Sequence, residues 1–149
     1  MVERTLAIIK PDAIKKGLTD KIMHRIEEED FKVSGKRTFH LTKEEAQGFY
    51  IVHKDKPFYE SLTDFMSSGE IVIMVLEREN AIHHWRQVMG ATDPALADPG
   101  TLRREYGTSI EQNAVHGSDS PETAVWEIDY FYKEEEETGT AGEKEEKTE

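Results

Sequence analysis

One imidazole stands in a setting that invites chemistry. His116 lies in the run Asn113-Ala-Val-His116-Gly-Ser-Asp-Ser120-Pro121. Histidine keeps a neutral, nucleophilic ring available near pH 7. The composition of the run reads as a small-residue loop leading into a helix start. Gly117 leaves space for a bulky group to approach the ring. Ser118, Asp119 and Ser120 offer short polar partners, and Ser120-Pro121 reads as an N-cap followed by proline at the first helical position. A lone loop histidine is ordinarily a solvated polar residue, so this run acquires meaning only from what else the chain provides.

What else it provides is a set of candidate phosphate ligands. Lys10 ends an apolar stretch, Arg86 sits on the flank of an amphipathic segment, Thr92 lies just beyond it, and Arg103 follows Gly100-Thr101. Guanidinium forks match phosphate oxygens bidentately, lysine adds a point charge and threonine a neutral donor. Taken singly, each arginine would more often pair with a local carboxylate. The common phosphate-loop pattern, the dinucleotide glycine fingerprint and the protein-kinase signature are all missing from the sequence. A phosphorylated ligand would therefore be held by side chains from several elements.

Those side chains need elements to position them. Glu3–Ile9 reads as a strand ending in buried Leu6, Ile8 and Ile9, stopped at Lys10-Pro11-Asp12. Thr19 is expected to cap a helix to about Glu29, with Leu18 and Met23 as a hydrophobic staple and Ile22 and Ile26 facing inward. Phe31–Leu41 is strand-like, and Thr42-Lys-Glu-Glu45 is a capping box opening a helix through Val52. Pro57–Met66 reads as a further helix, and Glu70–Glu77, with its IVIMVL run, as a central strand. Asn80 is expected to cap a helix to about Met89 with Ile82, Trp85, Val88 and Met89 inward. After a loop holding Pro94, Pro99 and Gly100 come a short helical turn at Thr101–Tyr106 and a last helix from Pro121 to about Tyr132. This order implies an α+β sandwich, one sheet with helices packed on it, and functional groups at strand ends and loops.

The 149 residues suit one domain with a real core. Apolar residues make up 36% and charged residues 34% of the chain, and no apolar run approaches a membrane span. The opening Met-Val-Glu-Arg-Thr-Leu lacks a signal-peptide pattern, and there is no cysteine, so an intracellular, cytoplasmic protein is expected. A net charge of −12 argues against nucleic-acid binding as the main role. From Lys133 the chain reads KEEEETGTAGEKEEKTE, eight Glu against three Lys with no large apolar side chain. Such a segment cannot offset its ordering entropy by burial, so the domain is expected at 1–132 and an acidic, disordered tail at 133–149.

These residues together resemble the nucleoside diphosphate kinase family. The match runs through Arg4-Thr-Leu-Ala-Ile-Ile-Lys10-Pro-Asp12, Phe49-Tyr50, Lys56-Pro-Phe58 and Met66-Ser-Ser-Gly69. It continues through Gly90-Ala-Thr92-Asp-Pro94, Pro99-Gly-Thr-Leu-Arg103 and Asn113-Ala-Val-His116-Gly-Ser-Asp119. The last of these is highly specific, and its order with K-P-D and P-G-T-x-R covers about 1–132.

The resemblance implies a ferredoxin-like βαββαβ sandwich with an antiparallel four-stranded sheet and added helices. It also implies a ping-pong reaction in which a nucleoside triphosphate, chiefly ATP, passes its γ-phosphoryl to His116 and a nucleoside diphosphate then collects it. Lys10, Arg86, Thr92 and Arg103 would bind phosphates, with Mg²⁺ bridging phosphate oxygens and Asp119 nearby. Asn113 and Lys10 would contact the sugar, Phe58 would stack on the base, Tyr50 would lie against the catalytic cluster, and Glu127 would hold the other ring nitrogen of His116. The family also implies a homotetramer or homohexamer. By residue type alone, Glu127 is a boundary carboxylate about 100° from the apolar arc Ala124, Val125, Ile128 and Phe131, while Phe58 and Tyr50 default to core packing. The remaining histidines, including the adjacent His83-His84, show no metal-ligand spacing.

Two residues depart from the commonest family pattern. Asp93 replaces the usual Asn before proline and Arg104 the usual glycine, and a salt bridge between them is the expected compensation. The alternative of a nucleotide-binding regulator that has lost the transfer is disfavoured because the histidine and every phosphate ligand are present.

Overall fold

The computed structural model describes residues 2–138. Four strands form one antiparallel sheet: β1 (Val2–Ile9), β2 (Lys32–Phe39), β3 (Ile71–Glu79) and β4 (Val115–Gly117), in the spatial order β2-β3-β1-β4. Helices α1 (Pro11–Lys15) and α2 (Thr19–Glu28) link β1 to β2, and α5 (Ala81–Met89) follows β3. With β4 closing the sheet beside β1, this is the ferredoxin-like βαββαβ core expected from the sequence. Helices α3 (Lys43–Phe49) and α4 (Tyr59–Met66) are inserted before β3, α6 (Leu102–Tyr106) precedes β4, and α7 (Pro121–Thr138) follows it.

The central strands are apolar on both faces because both faces are covered. Side chains alternate along a strand, so Leu6, Ile8, Ile71, Ile73 and Val75 pack under α3, α4 and α7 against Phe49, Met66, Ile128 and Phe131. Ala7, Ile9, Val72, Met74 and Leu76 pack on the opposite face against Ile22 and Ile26 of α2 and Trp85 and Val88 of α5. Each large side chain so buried stabilises the fold by roughly 1.5–3 kcal/mol relative to exposure.

Several expectations about element ends are corrected. Thr19 is the first residue of α2 rather than its cap; Leu18 takes the cap position and no side chain bonds the exposed amides there. Asn80 precedes α5 as expected, but through its left-handed backbone (φ 56°) and not through a side-chain bond. The capping box at Thr42 and Glu45 forms, yet α3 stops at Phe49 and a 3-10 turn, Ile51–His53, replaces its expected last turn. Pro11, read as a strand stop, also begins α1, which the sequence pattern did not reveal. Val125 is 63% exposed, so the buried face of α7 is Ala124, Ile128 and Phe131. The helix runs on through Thr138 instead of ending near Tyr132. Of the acidic stretch expected as a tail, residues 139–149 lie outside the described residues. Among the described residues, no helix is long and apolar enough to cross a membrane.

Candidate functional site

His116 is not in a loop. It is the middle residue of β4, paired with Ile8 of β1 across the sheet edge. Its run of small residues hid a three-residue strand from composition-based reading. Gly117 also plays a different part from the one expected. A Cβ there would stand 2.5 Å from Trp85 Cδ1 and 2.7 Å from Met89 Cε, so the missing side chain serves core packing. The Trp85 indole N–H donates to the His116 carbonyl oxygen at 3.1 Å, fixing the strand from beneath.

The ring itself is held from α7. His116 Nε2 lies 3.0 Å from Glu127 Oε1, and the Ser118 hydroxyl donates to the same oxygen at 2.8 Å. Ser118 in turn accepts the Leu6 amide of β1 at 3.2 Å. Ser118 is two residues from His116, so once the strand is recognised both side chains fall on one face. Burial alone would raise the Glu127 carboxyl, but the adjacent His116 ring and the hydrogen bonds from His116 and Ser118 outweigh it and hold the group below its usual range. Because the carboxylate accepts, Nε2 carries the ring hydrogen and the Nδ1 lone pair is left for chemistry. Phe49 meets the ring edge-on at 5.4 Å between centroids and Tyr50 at 6.3 Å. Ser120 caps α7 by accepting the Thr123 amide at 3.1 Å, as its position before Pro121 implies.

The ring opens into a cleft of about 840 Å³ that also brings together Lys10, Tyr50, Phe58, Arg86, Thr92, Arg103, Asn113 and Asp119. They come from several separate stretches of the chain. Lys10 leaves the end of β1 with its backbone amide bonded to the Ala114 carbonyl oxygen at 2.9 Å. Its ammonium donates to Asn113 Oδ1 at 2.8 Å, and Asn113 Nδ2 donates to the Thr92 and Ile110 carbonyls at 3.0 and 2.8 Å. Burial and, after it, the Arg103 guanidinium push Lys10 down from 10.5 to about 7, against the opposing pull of Asp12 and Glu111.

Arg103 is buried. Its guanidinium donates to the Gly90 carbonyl at 3.1 Å and the Val115 carbonyl at 2.9 Å, while its Nε has no partner among the described residues. Burial first, and then neighbouring Arg86, lower it to about 10, so it remains a cation at neutral pH. Arg86 reaches the rim and pairs with exposed Asp119 at 2.7 Å. The Tyr50 hydroxyl is buried without a hydrogen-bond partner among the described residues; burial, and then Glu127, raise its pKa, so it stays protonated. Phe58, expected by default to be core, is 47% exposed at the cleft mouth beside His53.

The salt bridge expected between Asp93 and Arg104 gives way to separate tasks. Asp93 accepts the Ala95 amide at 3.0 Å and so caps the turn Pro94–Leu96. Arg104 donates to the Ala97 carbonyl at 3.0 Å. Asp93 finds a backbone amide within its own turn, and Arg104 reaches back from α6 to the carbonyl that ends that turn.

Comparison with known proteins now decides the family. The sequence model described as nucleoside diphosphate kinase matches residues 3–137. The chain belongs to the nucleoside diphosphate kinase family. It is 54% identical over 133 residues to the nucleoside diphosphate kinase of Geotalea uraniireducens, covering 89% of this chain and 97% of that one. With the protein of that name from Persephonella marina it shares 56% identity over 131 residues, 88% and 94% of the two chains. Among solved structures, the Aquifex aeolicus nucleoside diphosphate kinase superposes with a TM-score of 0.86 at 45% identity, covering 87% of this chain and 94% of that one. The Halobacterium salinarum nucleoside diphosphate kinase in complex with CDP gives 0.85 at 38%, covering 88% of each.

In and around this cleft, several further residues take part in its architecture. Asp12 accepts the Ala114 amide at 3.1 Å, where Ala114 takes a positive φ of 76° just ahead of β4. Arg25, braced by Glu29 at 2.8 Å, donates to the Gly100 carbonyl at 2.8 Å and ties down the approach to Arg103. Leu62, Ile110 and Glu111 line the cleft. Asp12 stood in the Lys10-Pro-Asp12 motif without an assigned part, whereas for Arg25, Leu62, Ile110 and Glu111 no spacing in the sequence pointed to a role.

Proposed function

We propose that this cleft carries out nucleoside diphosphate kinase transfer with His116 as the phosphoryl carrier. The observation that carries the reading is the His116–Glu127 contact, which commits Nε2 and leaves Nδ1 as nucleophile among Lys10, Arg86 and Arg103. In the first half-reaction Nδ1 attacks the γ-phosphorus of a nucleoside triphosphate. The N–P bond forms, the bond to the β–γ bridging oxygen breaks, and the diphosphate leaves with that electron pair. The phosphorylated ring keeps its Nε2 hydrogen and gains positive charge, which the Glu127 carboxylate stabilises. A β-phosphate oxygen of a second nucleoside diphosphate then attacks the same phosphorus from the reverse side, and the ring is released as leaving group. No net proton changes hands.

Lys10, Arg86, Thr92 and Arg103 stabilise the charge that spreads over the phosphoryl oxygens, which is most of what this reaction requires. Asn113, fixed by its bonds to Thr92 and Ile110, and Lys10 present polar groups to the sugar. Phe58 and Ile110 offer apolar surface to the base without base-edge readout, which suits tolerance of all bases. The Tyr50 ring stands 6.3 Å from that of His116, and its buried hydroxyl is a donor without a partner among the described residues.

Mg²⁺ fits this donor set as an ion carried on the nucleotide phosphates rather than caged by protein. No group of three or more His, Asp or Glu stands together among the described residues, and Asp119 at the rim is the carboxylate nearest Arg86. When bound it would neutralise phosphate charge. The protein is read as cytoplasmic and as a homotetramer or homohexamer, which size-exclusion chromatography with light scattering distinguishes.

The test is direct. Incubation with ATP labelled at the γ-position, followed by removal of nucleotide, should leave acid-labile, base-stable phosphate on His116. His116→Gln should abolish it, and turnover within tenfold of the parent in that variant would overturn the covalent route.

A further inference from the structure

Two walls of the cleft come from parts of the chain far apart in sequence. One is α4, which Phe58 introduces and from which Leu62 lines the cleft; the other is the segment 107–113, which supplies Ile110, Glu111 and Asn113. The second wall is stiffened internally. The Thr108 amide donates to the Gln112 carbonyl at 2.8 Å and the Gln112 amide to Ser109 Oγ at 3.0 Å. Between the walls runs a charge-assisted bond: the Ser61 hydroxyl lies 2.9 Å from Glu111 Oε1 and 2.7 Å from Oε2, across 50 residues of chain.

We infer that Ser61 and Glu111 form a strap that sets the separation of the two walls, making both positioning residues for nucleotide binding. The inference rests on the reading of this cleft as the nucleotide site. Ser61 occupies the turn of α4 adjoining Leu62, and Glu111 follows Ile110, so each half of the strap adjoins an apolar side chain facing the cleft. A hydroxyl bonded to a carboxylate is stronger than a neutral pair. It keeps the slot at binding width before any ligand enters, so nucleotide pays less to order it. Ser61→Ala leaves in place the Glu111 charge that acts on Lys10, and the strap itself hydrogen-bonds neither His116 nor the phosphate-binding cations. Its loss therefore weakens donor and acceptor nucleotides alike while leaving the transfer step unchanged, the signature of uniform binding.

The charge of Glu111 and the strap it forms are separable by substitution. Ser61→Ala removes the donor and keeps the charge. Glu111→Gln removes the charge and keeps an acceptor for Ser61, and Glu111→Ala removes both. Steady-state kinetics with ATP and a nucleoside diphosphate should show KM for both raised by about 3–10-fold in Ser61→Ala and Glu111→Ala, the scale of one lost hydrogen bond of ordinary strength, as suits a solvent-exposed pair. The kcat should stay within about twofold in Ser61→Ala, and Glu111→Gln, left with a neutral bond, should raise KM less than Glu111→Ala. The double variant Ser61→Ala/Glu111→Ala should be no worse than either single one, because both break one bond. Additive losses would overturn the strap. So would an unchanged KM in Ser61→Ala beside a changed one in Glu111→Ala, which would assign the effect to the Glu111 charge. Calorimetric binding of ADP to the same variants reads the strap without turnover. A parent that binds ADP but forms no phosphohistidine would refute the transfer chemistry and leave the strap to be judged on those affinities.

Discussion

Glu127 Oε1 stands 3.0 Å from His116 Nε2, and that one contact joins the edge strand of the sheet to the helix that follows it. The carboxylate comes from the second turn of α7, and Ser118, itself bonded to Leu6 of β1, holds the same oxygen from the other side. The ring is therefore oriented by two elements at once.

Glu127→Gln is expected to slow phosphorylation of His116 by ~10–100-fold, the usual cost of losing an orienting partner. An amide can still accept from Nε2, but it no longer balances the positive ring of the intermediate. Single-turnover measurement of phosphoenzyme formation checks this, and an unchanged rate would reduce Glu127 to a packing residue. The same carboxylate is depressed in the folded state, so its stabilisation is present above the ordinary 4.5 and lost as pH falls below that value. Parent and variant should thus differ most in stability at neutral pH and converge in acid.

Lys10 is lowered as well, but in its case burial disfavours the charged form. Its folded pKa, about 7, lies below its ordinary 10.5, so between these values the unfolded chain binds more protons and stability rises with pH. Below about 7 the fold carries the full cost of a buried ammonium. Lys10→Met should accordingly melt a few degrees higher than the parent at about pH 6, with the gap narrowing towards about pH 9. Nucleotide affinity should fall in the same variant. A variant that melts below the parent at both pH values would show that the Lys10–Asn113 bond outweighs the burial cost.

Nucleotide binding should draw a proton onto Lys10. Phosphate charge beside the ammonium favours its protonated form, and a group near 7 has protons to gain at slightly alkaline pH. Calorimetry of ADP binding at about pH 8, repeated in buffers of different ionisation enthalpy, should report uptake approaching one proton. Lys10→Met should remove that uptake.

Gly117→Ala should destabilise the protein by about 1–3 kcal/mol, as overpacking does. The new methyl would fall 2.5 Å from buried Trp85, whose indole also holds the His116 carbonyl. Urea unfolding measures the loss, and a midpoint equal to that of the parent would mean that α5 yields easily.

Deletion of 139–149 should leave turnover and assembly essentially unchanged. Every residue given a chemical role lies at or before Glu127, and α7 stays whole through Thr138. The deletion removes four Glu and two Lys, a net of two negative charges. Charges of that number are screened beyond roughly 8 Å at physiological salt. Kinetics at two ionic strengths together with size-exclusion chromatography check this, and dissociation of the oligomer would give the segment a structural part.

The sequence by itself carried the residue types of the candidate site and the order of the elements other than α1 and β4. His116, Lys10, Arg86, Thr92, Arg103 and Asn113 stand in short motifs whose residue types and spacing survive translation into one dimension. The apolar run of β3 and the capping box at Thr42 are likewise local, because hydrogen bonds within a turn and burial on both faces of a strand leave marks on neighbouring residues. What only the tertiary structure decided is whatever depends on partners far apart in the chain. β4 is three residues of small side chains that become a strand only by pairing with β1. Gly117 reads as space for a ligand until Trp85 is found beneath it. Asp93 and Arg104 suggest each other by charge, yet each bonds to backbone of the turn at 94–97 instead. Ser61 and Glu111 are ordinary surface residue types, 50 positions apart, and their meeting follows from how α4 and the segment before β4 pack on the same sheet. Local bonds are written in local sequence; long-range contacts arise from the summed packing of elements, to which each residue contributes only a part.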